Sequence, residues 1–394
     1  MIYLIVLILL LLLSFRYDIN GKTKGRELSY VFVLVIFVML AGLRWRIGVD
    51  TASYLNRFYY VYPTLDKFSL ADYPIGKDPF YVLMNSFVKT LGFRFYVVQI
   101  IHAAFVNILI FKYFNKHTKY VFTCAFFYFI TAYSSYCTEI MRGSMSIAIC
   151  LYAYDYFLEK KWFKGYLLLL LALMFHVQTI IIFVTPFLLF LRFNKIGVFA
   201  LLVALFVGFL IQRTLGDYVE LFELSEDIET KAAVYANSEK YGDQNHTWKY
   251  FMLRIATSYA YAFLYLIIIK VRNVECRHHL SRFEPCLMLG AVFLMMRISI
   301  DIFYRFVEYY HIYFVLFYSE LFVNQARKQN LTRCLSYLRT FVLFLPFFLI
   351  VVLRFINSDG RTRPYSSVIE RSISKEREAT MKEKNKPAAN RNLY

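Results

Sequence analysis

The chain has 394 residues, 59% of them hydrophobic and 18% charged, with a formal net charge of +18. A water-soluble chain of this length carries more charge, and the Lys and Arg residues fall in short turns between apolar runs, which points away from nucleic acid and towards membrane orientation. The six cysteines are scattered without a C-x-x-C pair, so neither a disulfide framework nor a metal site is expected.

Apolar stretches long enough to cross a hydrocarbon core recur from end to end. They predict an all-α fold, a polytopic transmembrane bundle of about 10–12 helices within a single domain over residues 1–356. In chain order the segments fall at about 1–16, 28–43, 94–114, 119–136, 140–158, 163–175, 177–191, 195–211, 250–270, 283–300, 302–323 and 338–356. The first has no basic region before it and no small-x-small cleavage site after it, so it reads as a transmembrane helix and not as a signal peptide. The stretch 79–92 is too short and too mixed to span and reads as re-entrant or interfacial.

Arg16, Lys22, Lys24 and Arg26, between the first two segments, place that turn in the cytoplasm. Alternation then gathers on the same side the turns bearing Lys112, Lys116 and Lys119, Lys160, Lys161 and Lys164, Arg192 and Lys195, Lys270 to Arg282, and Arg327 to Arg333. The outer face receives two long loops, about 44–93 and 212–249, with the turns near Glu139, His176 and Asp301. The tail 357–394 is polar and basic, with a disordered composition after about residue 370; twelve crossings from an outward N-terminus leave it outside.

Four outer-face features carry candidate chemistry. Arg44 and Arg46, in G-L-R-W-R-I-G-V-D after the second segment, have the guanidinium forks that match phosphate oxygens; the plainer reading is a pair of interfacial cations. Arg142 opens an apolar helix, where its charge adds to the positive helix end and suits an anion, unless it simply pairs with Glu139. His176 lies between two apolar runs, as a structural residue or as a proton acceptor. Arg305 lies four residues after Asp301, either as its ion-pair partner or as a further cation of the pocket.

The order of G-L-R-W-R-I-G-V-D-T-A-S-Y, D-P-F-Y-V-L-M-N at 78–85, M-R-G-S-M-S-I-A-I, A-L-M-F-H-V-Q and R-P-Y-S-S resembles the EpsG-like group of Wzy-type polysaccharide repeat-unit polymerases across roughly residues 28–366. Thr51 stands where an aromatic residue is usual, Asp78 where Glu is commoner and Gly143 where Gln is usual; the Arg, Asp and His positions are kept. The resemblance implies a multi-pass glycosyltransferase of the bacterial cytoplasmic membrane. It would join undecaprenyl-diphosphate-linked oligosaccharides into an extracellular, capsular or O-antigen-type polysaccharide, with a helical bundle like those of membrane enzymes using lipid-linked donors and with a chain-length regulator as partner. It implies Arg44, Arg46, Arg142, Arg305 and Tyr54 on the diphosphate or sugar, and His176 or Asp50 as general base. Asp50 follows Arg46 and Arg44 by four and six residues, which suits a structural partner better than a base. No D-x-D pair appears in a loop, so a reaction without metal or cofactor is expected. A flippase for the same lipid-linked sugar, or a ligase moving its glycan to another acceptor, would need the same cations.

Overall fold

A computed structural model describes residues 2–48, 50–219, 282–297, 303–327 and 365–370. The expected segments at 250–270 and 338–356, most of the 212–249 loop, Asp301 and the tail beyond 370 lie outside these residues. The described residues are all-helical; the nearest thing to a sheet is an isolated antiparallel bridge between Arg44 and Ser367.

The helices follow the apolar runs closely. They are α1 (Ile2–Leu13), α2 (Arg26–Gly42), α3 (Thr51–Asn56), α4 (Pro79–Thr90), α5 (Phe95–His117), α6 (Val121–Tyr128), α7 (Met141–Leu158), α8 (Trp162–Phe175), α9 (Lys195–Val219), α10 (Glu284–Arg297) and α11 (Tyr304–Ala326). Wider π turns prolong α1 to Ile19, α3 to Val61 and α6 to Glu139. Two expectations shift. The 177–191 run is a 3₁₀ helix, Val177–Leu188, with Pro186 inside it, and residues 212–219 continue α9 instead of opening a loop. By length and composition, two of the described helices, Ile2–Ile19 and Phe95–His117, suffice to cross a bilayer, and shorter apolar helices stand at Val121–Tyr133, Trp162–Phe175, Val177–Leu188 and Lys195–Gly208.

The chain forms two compact units, one of residues 1–183 with 315–386 and the other of residues 184–314 with 387–394. In the first, α2 buries Val33, Phe37, Leu40 and Ala41, the i, i+4, i+7, i+8 stripe of a one-sided helix. That stripe packs on α5, with Phe37 and Phe111 ring centroids 5.1 Å apart. At its far end Gly42 allows the approach, since a Cβ there would stand 2.9 Å from Ile100 Cα. Opposite faces stay open: Leu28 is 78% exposed, Leu12 62% and Phe163 82%. Large apolar side chains turned outward in such numbers suit a lipid neighbour and not water.

Hydrogen bonds tie the helix ends of this unit into two groups. At one, Arg26 Nη2 donates to Lys119 O at 2.9 Å, Arg327 donates to Ile19 O at 3.0 Å, and Lys116 Nζ lies 2.7 Å from Asp155 Oδ2. At the other, Trp45 N donates to Ser366 O at 2.8 Å and Val368 N to Leu43 O at 2.8 Å, while Tyr54 reaches Glu139 O at 3.0 Å. α2, the α6 strand of helix and α8 run towards this second end, and α5 and α7 run away from it.

In the second unit α10 packs on α9. Glu284 Oε1 accepts from Phe193 N at 2.8 Å, and the Thr185 and Tyr310 hydroxyls are 2.7 Å apart.

Candidate functional site

Asp78 is the hub of the end that bears Arg142 and His176. It precedes Pro79, which holds the first helical position of α4, a place suited to a residue with fixed φ and no N–H. Asp78 itself adopts φ +55°, a left-handed conformation uncommon outside Gly, Asn and Asp. It is 2% exposed, and its carboxylate faces three segments. One oxygen accepts from Arg142 Nη1 in the first turn of α7. The other accepts from Val177 N at 3.0 Å and lies 3.4 Å from His176 Nδ1.

A buried carboxylate so placed is held ionised. Burial pushes the Asp78 carboxyl up, but the His176 imidazole, the Arg142 charge and the Val177 N–H outweigh it and keep it below the usual carboxylate range. Arg142 is thereby held in one orientation over the Tyr54 ring, 5.9 Å from its centroid, and its side chain keeps 28% exposure. The Arg142 Nε is buried without a hydrogen bond, leaving a donor of the guanidinium without a protein acceptor.

His176 terminates α8 in extended backbone. Its Nε2 is 3.1 Å from Gln178 Oε1, and its carbonyl accepts from the Thr179 hydroxyl at 2.6 Å. Gly143 makes room for the ring, because a Cβ there would lie 3.3 Å from His176 Cδ2. Below the centre, His102 Nε2 and Ser144 Oγ are 2.9 Å apart, fully buried.

The two arginines after α2 part company. Arg44 is 1% exposed; it donates to Ala41 O at 2.5 Å and contacts Met141 Sδ at 3.4 Å, joining the end of α2 to the start of α7. Arg46, at φ +50°, has its guanidinium 5.1 Å from the Trp45 ring centroid. Asp50 is exposed just before α3. Arg305 belongs to the first turn of α11, in the second unit.

Arg142 and His176 therefore meet at a residue to which the spacing of charges had assigned no role, and Tyr54 joins them through the Arg142 guanidinium. Asp78 is 64 residues from Arg142 and 99 from Val177, so no local pattern links them; the available signal was an Asp-Pro pair at a helix start. Arg142 takes this carboxylate, while Glu139 lends its backbone carbonyl to Tyr54. The first and last motifs also meet, since residues 366–368 pair with 43–45. Among the described residues no group of three or more His, Cys, Asp or Glu is placed to hold a metal ion.

No curated protein and no solved structure matches this chain. A family model described as the EpsG family matches residues 27–367, a span that takes in the Arg44, Asp78, Arg142 and His176 segments and the Ser366 pairing. Such membership, with the apolar helices, supports a membrane protein of polysaccharide biosynthesis, and the chain belongs to the EpsG family.

Proposed function

We propose that this chain is a multi-pass polymerase of the bacterial cytoplasmic membrane that joins undecaprenyl-diphosphate-linked oligosaccharide units on the outer face. The observation that carries the reading is the convergence on Asp78 of Arg142 and His176, at the end of the first unit away from the basic turns. Positive-inside orientation puts those turns in the cytoplasm and this centre outside, where lipid-linked units are extended. The pairing of residues 366–368 with 43–45 agrees with a tail that starts on the same outer face.

In the step proposed, the acceptor hydroxyl oxygen bonds to the anomeric carbon of the donor sugar while the bond from that carbon to the diphosphate breaks. The lipid diphosphate leaves with the electron pair, and Arg142, with Arg44 and Arg46 as the further cations of this reading, offsets the charge that develops on it. His176 takes the hydroxyl proton at Nε2 in exchange for its contact with Gln178, and Asp78, ionised beside Nδ1, orients the ring and stabilises the imidazolium. Tyr54 serves by fixing the Glu139 carbonyl next to Arg142. Asp50 is the other base this reading allows.

Purified protein given lipid-linked repeat units is expected to lengthen the glycan. Relocation of an unchanged donor across the bilayer would make it a flippase, and transfer of glycan to a different acceptor a ligase. Orientation is checked separately: Ser69→Cys, with the native cysteines replaced, should react with an impermeant thiol reagent in intact cells. Labelling only after lysis overturns the outer-face centre.

A further inference from the structure

α7 begins at Ile140 without a side-chain cap, so the turn that carries Arg142 is held by its contacts with other elements. Polar pairs hold it on opposed faces. Ser144 Oγ meets His102 Nε2 of α5 at 2.9 Å, and Ser146 Oγ meets Thr179 Oγ1 at 2.5 Å. Two positions along a helix are turned by about 200°, so the first pair fixes α7 against α5 and the second fixes it against the segment after His176. The Thr179 hydroxyl in turn donates to the His176 carbonyl.

Packing alone does not account for the imidazole. The Ser144 hydroxyl has one proton, which it donates to Met141 O at 3.1 Å, so His102 donates from Nε2, and a neutral ring then keeps Nδ1 as an acceptor. That nitrogen is buried and, among the described residues, has no hydrogen-bond partner. A buried polar atom left unpaired weakens a fold. Leucine here would avoid the loss without orphaning Ser144, which keeps the Met141 carbonyl. What the imidazole adds is a bond across to the turn bearing Arg142 and Gly143. Arg142 lies on the Asp78 carboxylate and Gly143 against the His176 ring, so a rotation of this turn displaces both groups of the centre together.

We propose that His102 is a positioning residue, whose Nε2–H holds the first turn of α7, and through it Arg142, in register with Asp78 and His176. This rests on the polymerase reading and deepens it by adding a residue that serves the reaction without touching substrate.

The test takes the full-length protein in detergent and reads glycan lengthening, melting temperature and the rate at which diethyl pyrocarbonate modifies His176, followed by mass spectrometry of its peptide. His102→Leu should lower kcat about ten-fold or more, with KM for lipid-linked units within about two-fold and a melting temperature no lower than that of the wild type. His102→Gln should recover kcat to within about three-fold, because its amide nitrogen reaches the place of Nε2, whereas His102→Asn, whose amide ends at the place of Nδ1, should not. Ser144→Ala should lose kcat and also melt earlier, since both imidazole nitrogens are then unpaired. Adding His102→Leu to it should restore the melting temperature and leave kcat low. The His176 side chain is 16% exposed, and its modification should quicken about three-fold or more in His102→Leu and return in His102→Gln. Unchanged kcat in His102→Leu overturns the proposal. So does a loss that His102→Gln fails to recover, or one matched by a fall in melting temperature, either of which makes the imidazole a packing residue. A wild-type protein that does not lengthen glycan removes the polymerase reading, and the modification rates then decide the positioning alone: a change reversed by His102→Gln keeps it, and equal rates remove it.

Discussion

At the end of the first unit that carries Arg26, Lys116, Lys119, Lys160 and Lys161, cations are largely in water: Lys161 and Glu159 pair with side chains 54% and 41% exposed, and Lys116 is 49% exposed. At the other end the charges are withdrawn. Asp78 is 2% exposed, Arg44 1%, and Arg142 is held by Asp78. Solvated pairs contribute little to stability and act through their number, which sets orientation. Withdrawn charges act through geometry, because each must be met by a specific partner or a ligand. The difference separates residues that determine how the chain lies in a membrane from residues that can do chemistry there.

The sharpest way to break this comparison is to remove the hub. Asp78→Asn is expected to reduce polymer formation by about a hundred-fold or more at matched insertion, since a buried pair that loses one partner costs roughly 3–5 kcal/mol; Arg142 is partly exposed, so its share falls at the low end. Arg142→Ala should behave alike and Arg142→Lys only partly recover, lacking the fork. Polymer ladders from membranes at equal protein level measure this. Near-normal ladders from both Asp78→Asn and Arg142→Ala would dissolve the distinction between the ends.

His176→Gln comes next. It should halt chain growth by about 10²–10⁴-fold and accumulate single lipid-linked units, with donor binding retained, whereas Asp50→Asn should leave growth nearly intact. Full growth by the His176→Gln enzyme across neutral pH shifts the proton acceptor to Asp50.

At the basic end, Asp155 offers the instructive contrast of a withdrawn carboxylate without a reaction centre. Its Oδ2 lies 2.9 Å from His117 Nε2 and its Oδ1 3.3 Å from Tyr113 OH, joining α7 to α5. Asp155→Asn should lower thermal stability by about 1–3 kcal/mol while glycan lengthening per folded molecule is preserved. Loss of lengthening at unchanged melting temperature would place chemistry at the wrong end. Glu159→Gln, in the exposed pair, should leave both readouts unchanged.

A pH series sharpens the same point with the smallest effect. The folded Asp78 carboxyl lies below its ordinary value of 3.8, so it contributes stability above that value, and the contribution is lost as pH falls through the folded value. The melting-temperature gap between wild type and Asp78→Asn should therefore be constant above about pH 5 and close below about pH 4. A gap that widens on acidification would show that Asp78 is held protonated.

Much of the helical layout was legible because long apolar runs leave the backbone few choices. The 94–114, 140–158 and 163–175 segments became Phe95–His117, Met141–Leu158 and Trp162–Phe175 within a few residues. The run at 177–191 was misjudged in form, since hydropathy does not distinguish an α-helix from the 3₁₀ helix that Val177–Leu188 adopts. Arg142, His176 and Tyr54 stood out as polar groups beside apolar helices, which is where composition makes such residues conspicuous. Arg44 was conspicuous for the same reason, but its burial was not readable. It and Arg46 are two positions apart in a turn, yet Arg44 is 1% exposed while Arg46, with a left-handed backbone, lies against the Trp45 ring.

The amino-acid sequence by itself determined the apolar helices, the alternation of basic turns and the order of motifs that marks the EpsG family, because all three are written in local composition and short-range spacing. Tertiary structure alone decided that Asp78 is the partner of Arg142 and His176, that Ser366 pairs back to Trp45, and that Arg44 faces the interior. Those contacts join residues tens to hundreds of positions apart, and their energies come from burial and partner geometry, which exist only once the helices have packed.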